Sequence, residues 1–110
     1  MSLETYLDTC IAEFQNFLNE NKFEFEDSET STFAIYKLYQ NHDIKIKFTN
    51  DRGVIEIELN SKKPFFINSN EIIRRLKNTE KPYQYNLTET NQFFSENYES
   101  LVSFLKSSNY

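Results

Sequence analysis

Leu3, Leu7, Cys10, Ile11, Phe14, Phe17 and Leu18 recur at helical spacing. Ser2 stands where an N-cap belongs, and Glu4 and Asp8 suit the positive end of a helix dipole. The pattern predicts one helix to about Glu20, ended by Asn19 and Asn21. The period then changes to two, with Phe23 and Phe25 alternating with Glu24 and Glu26. Residues 27–31 are wholly polar and read as a connector. Phe33 to Tyr39 reads as a strand in which Ala34, Tyr36 and Leu38 share a face. Gln40 to Asp43 reads as a turn.

Two alternating runs follow. Ile44, Ile46 and Phe48 interleave with Lys45 and Lys47, and Ile55, Ile57 and Leu59 interleave with Glu56 and Glu58. Matching apolar to apolar sets Phe48 beside Ile55, Ile46 beside Ile57 and Ile44 beside Leu59. The same register sets Lys47 beside Glu56 and Lys45 beside Glu58, and it leaves residues 50–53 as a four-residue loop. The chain's only glycine, Gly53, closes that loop, where a positive φ is needed. Asp51 and Arg52 stand at its tip.

Beyond Pro64, Phe65-Phe66-Ile67 is a short apolar piece, an edge strand or a plug over the core. Asn68 with Glu71 is a capping signal for a short helix carrying Ile72, Ile73 and Leu76 inward and Arg74, Arg75 and Lys77 outward. Residues 78–87 form a loop containing Pro82, Tyr83 and Tyr85. Thr88 caps a last helix whose face is Phe94, Tyr98, Leu101, Val102 and Leu105. The fold class expected over residues 1–110 is therefore a single α+β domain. It has an N-terminal helix, an antiparallel meander sheet of about four strands, then a short helix and a long C-terminal helix packed on one face.

Composition adds bounds. Eleven Phe and seven Tyr can fill a core without disulfides, and the single cysteine cannot form a bridge within the chain. No apolar run nears the ~20 residues of a membrane span, and the N-terminus lacks the basic and apolar regions of a signal peptide. A cytoplasmic protein is expected, with no membrane partner. The formal net charge is −5. Residues 1–30 hold eight acids against one base, and residues 62–81 hold six bases against two acids. An acidic total argues against generic nucleic-acid binding, which needs phosphate neutralisation.

Reactive chemistry finds little support. The only histidine, His42, lies in a predicted turn, and Cys10 lies on an apolar stripe, the setting of a buried structural thiol. One His and one Cys make no dedicated zinc site, and one glycine makes no phosphate loop. Glu24/Glu26 and Glu56/Glu58 are spaced like solvated strand faces rather than acid–base pairs. No catalytic residue, metal or cofactor is expected. What remains is a surface that binds another molecule. The candidates are the acids Glu24, Glu26, Asp27 and Glu29, the tip Asp51 and Arg52, a basic strip of Lys62, Lys63, Arg74, Arg75 and Lys77, and the tyrosines Tyr83 and Tyr85. Tyr and Arg are favoured at interface hot spots.

The stretch FAIYKLYQNHDIKIKFTNDRGVIEIEL, followed by the EIIRRL helix, resembles small bacterial immunity-type proteins of polymorphic or contact-dependent toxin systems. The resemblance covers roughly residues 30–77 and centres on Asp51-Arg52-Gly53; Phe65-Phe66 stands where a Trp would be expected. It implies an inhibitor that binds and neutralises a cognate toxin protein, a nuclease among the options, as a monomer and without catalysis. The alternative reading is a small acidic secretion chaperone that holds an effector protein, which would act as a dimer.

Overall fold

The computed structural model describes residues 2–79 and 84–107. The architecture is α+β: N-terminal helices, a five-stranded antiparallel meander, then helices that pack on the sheet. Helix α1 (Leu3–Ala12) is capped by the Ser2 hydroxyl, which accepts from the Thr5 N–H. The predicted single helix is instead two. The chain turns at Glu13 and Phe14, and α2 (Gln15–Glu20) starts in a new direction. Tertiary packing overrides the local period here. The turn sinks Phe14 fully into the core, its ring edge-on to Phe48 at 5.2 Å, and lets Phe17 reach Phe23 and Phe94.

The sheet order is β1 (Glu24–Thr30), β2 (Ala34–Gln40), β3 (Lys45–Asp51), β4 (Val54–Asn60) and β5 (Ile67–Asn68). Most of the expected polar connector is strand: the chain turns only at residues 31–33, where the Ser31 N–H donates to the Ala34 carbonyl. An edge strand exposed on both faces needs no apolar alternation, and an irregularity at Glu26 interrupts what alternation there is. Ala34, Tyr36 and Leu38 do share a face, but it is the face away from the helices. Ile35 and Tyr39 point to the core instead, flanking Lys37, which meets Glu4 and Asp8 of α1 at 3.1 and 2.6 Å.

The β3–β4 register differs from the expected one by two residues. Phe48 lies opposite Ile57, Ile46 opposite Leu59, and Asp51 opposite Val54. A slip of two preserves the faces, so the hydrophobic pattern cannot distinguish the registers. The turn decides. Arg52 and Gly53 both take positive φ, +54° and +91°, as a two-residue hairpin turn matched to the sheet's twist requires. Asn50, expected in the loop, is fully buried: its carbonyl accepts the Gly53 N–H at 2.8 Å and its amide donates to the Leu3 carbonyl at 3.1 Å.

Of the apolar piece at 65–67 only Ile67 is strand: it forms the two-residue β5 with Asn68 and pairs only with Glu58 and Leu59, while Phe65 is exposed. Helix α3 (Ser69–Leu76) starts at an Asn68 cap. The expected long last helix is broken at Asn97 into α4 (Leu87–Glu96) and α5 (Tyr98–Ser107). Its cap is Asn86, in a reciprocal box with Glu89, rather than Thr88. Phe94, Leu101 and Leu105 nonetheless fall on one buried face, within one cluster that joins α1, α2, the sheet, α3, α4 and α5. No helix among the described residues is long and apolar enough to cross a membrane.

Candidate functional site

The helices cover one face of the sheet, and no helix among the described residues covers the other. Strand pairing builds that open face in rows: Glu29, Tyr36, Thr49 and Glu56; then Asp27, Leu38, Lys47 and Glu58; then Glu24, Gln40, Lys45 and Asn60. The irregularity at Glu26 turns its carboxylate to the same side, where it meets Lys45 at 2.9 Å. All four acids singled out in β1 therefore stand together. Glu56 and Glu58 join them from β4 and Asp51 from the end of β3, making seven carboxylates against two lysines on one face.

Both lysines are engaged inside the molecule. Lys45 pairs with Glu26. Lys47 lies 3.7 Å from Glu58, and its ammonium sits over the rings of Phe66 and Tyr36 at 4.4 and 5.5 Å. The Tyr36 hydroxyl donates to Glu29 at 3.1 Å, and this bond raises the phenol's pKa, helped by burial and by the neighbouring acids. A shallow depression of about 200 Å³ lies here, lined by Glu29, Ser31, Ala34, Tyr36 and Thr49. The centre of the face is thus half-buried tyrosine, leucine and threonine, framed by carboxylates. Such an arrangement presents contact area and negative potential.

Asp51 closes the end of this face in the row with Ala34 and Val54. Arg52 turns away from that acid cluster: its guanidinium packs on the Phe33 ring at 5.4 Å, and its N–H donates to the Phe33 carbonyl. Tyr85 belongs elsewhere. It is half-buried beneath Lys77, whose ammonium lies 4.9 Å from the ring, beside α3. Tyr83 lies outside the described residues. Sequence reasoning missed Tyr36, Leu38, Thr49 and Lys47 as members of the face. The signal was the alternation in β2, readable once Ile35 and Tyr39 are taken as the core set.

The remaining polar candidates have structural partners. Glu71 receives Arg74 and Arg75 at 2.6 and 2.7 Å, and these bonds hold its carboxyl down at about 2. Asp43 is lowered by its bond to Lys106 at 2.6 Å. Cys10 is buried, and that burial pushes its thiol up, away from reactivity. Among the described residues, no three His, Cys, Asp or Glu side chains gather as a metal site. In comparison with known proteins, no family model, curated protein or solved structure matches this chain.

Proposed function

We propose that this chain is an immunity-type inhibitor that binds a basic surface of a cognate toxin protein through the open face of its sheet. One observation carries the reading: seven carboxylates gather on a sheet face that no helix among the described residues covers and whose two lysines are already engaged. A partner that meets this face must bring positive charge. A nuclease toxin fits, because its nucleic-acid cleft is basic, and an acidic inhibitor reaches such a cleft by electrostatic steering. The half-buried Tyr36 and Leu38 would supply the desolvated centre and the acids the rim. In this reading the chain acts as a monomer in the cytoplasm of the toxin-producing cell and needs no cofactor.

The test is growth rescue and binding with a candidate toxin domain, taken from a toxin-like reading frame if one is found beside this gene. Co-expression restores growth, and purified complex forms at one to one. Reversal of Glu24, Glu26, Asp27 and Glu29 to lysine slows association at low salt by about 10–100-fold. Unchanged on-rates in the reversed variant, or no rescue, rule this reading out.

A further inference from the structure

Strand β4 has seven residues, but β5 pairs only with Glu58 and Leu59, so among the described residues Val54–Ile57 have no strand alongside on that edge. Because the hairpin closes with Asp51 opposite Val54 around a two-residue turn, the N–H and C=O of Ile55 point away from β3. They face a cleft of about 170 Å³ between this edge and the start of α3, lined by Ile55, Glu56, Asn68, Ser69, Asn70 and Gln84, among others.

The far wall is rich in unused donors. Ser69 is only 5% exposed, and its hydroxyl has no hydrogen-bond partner among the described residues. The Asn68 and Asn70 carbonyls accept the N–H groups of Asn70 and Tyr85, and their amide NH₂ groups have no acceptor among the described residues. A ligand that supplies acceptors to these donors gains hydrogen bonds worth about 1 kcal/mol each. A peptide backbone offers carbonyls to these donors and both groups to Ile55, the pattern of strand addition. Glu56 lines the same cleft and calls for a cation opposite it. A second copy does not meet that need through β4, which carries no basic residue.

We propose that the free edge of β4 is a strand-addition site for an extended peptide segment with a basic residue facing Glu56. Only the segment's owner, the toxin partner, rests on the reading above; the site itself does not. The probe is an acetylated and amidated heptapeptide of alternating Thr and Val with a central Lys, titrated into the whole ¹⁵N-labelled chain. Saturable amide shifts are expected at Val54–Ile57 and Ser69–Asn70. A central Glu in place of Lys, or Ser69→Ala, weakens binding about five-fold, the scale of one exposed charge pair or one hydrogen bond. N-methylation of alternate peptide amides abolishes it. Shifts that do not saturate, that map elsewhere, or that ignore N-methylation overturn the proposal. Growth rescue with a failed titration sinks this site alone; peptide binding without rescue sinks the inhibitor reading alone.

Discussion

Asn50 joins two parts of the molecule with one side chain, holding the hairpin turn through Gly53 and the start of α1 through Leu3. Asn50→Leu leaves both partners short of a bond in a buried place, and is expected to cost about 2–3 kcal/mol, read as a lower urea midpoint at unchanged slope. Glu71 gives a pH signature. Its folded pKa of about 2 lies below the ordinary value of about 4.3, so its ion pairs stabilise the fold above that value and lose their effect as pH falls through about 2. Glu71→Gln should cost about 1 kcal/mol at pH 7, since the side chains are partly exposed, and the difference from the parent should close near pH 2 in acid titrations of thermal stability. Neither role was legible in the sequence. Asn50 read as a turn residue because alternation leaves a two-residue slip undecided, and Glu71 read as half of a capping box, whereas its carboxylate turns to Arg74 and Arg75.

At the scale of elements, β1 is the part whose sequence misleads most and whose acids explain most. Seven residues of exposed edge invite pairing with another chain, yet they carry four acids and an irregularity, and the Asp27 carboxylate occupies the Ser28 N–H at 2.8 Å. Replacing Glu24, Asp27 and Glu29 with threonine should leave the fold intact and produce concentration-dependent self-association in sedimentation velocity at neutral pH; a strictly monomeric triple variant would refute the protective role. The helices were read more easily. Their apolar positions were identified correctly, because burial on one side imposes the period whether the helix is continuous or broken. The breaks at Phe14 and Asn97 escaped, since they answer to the packing of Phe14 and Phe94 against partners distant in sequence. The candidate acids of β1 were found from composition alone; that they share a face with Tyr36, Lys47 and Glu58 required the sheet.

For the molecule as a whole, charge is divided by layer. The acids of α1 that lie near the sheet, Glu4 and Asp8, are taken up by Lys37, where two hydrogen bonds and the nearby charges outweigh burial and raise the ammonium's pKa. Those on the open side are the ones a visitor would feel. Glu4→Gln with Asp8→Asn should therefore lower stability by about 1 kcal/mol in chemical denaturation while leaving partner on-rates unchanged, the reverse of the β1 charge reversals. The strand order itself has a further consequence. Every strand pairs with its immediate successor, so each ladder closes over a short stretch of chain. As the polypeptide leaves the ribosome, each hairpin can zip onto the last without waiting for a distant segment, and only the docking of α1 and α2 with the final helices spans the full length. Refolding should accordingly be quick for a mixed α/β chain, with the sheet protected from hydrogen exchange before the two ends of the sequence meet.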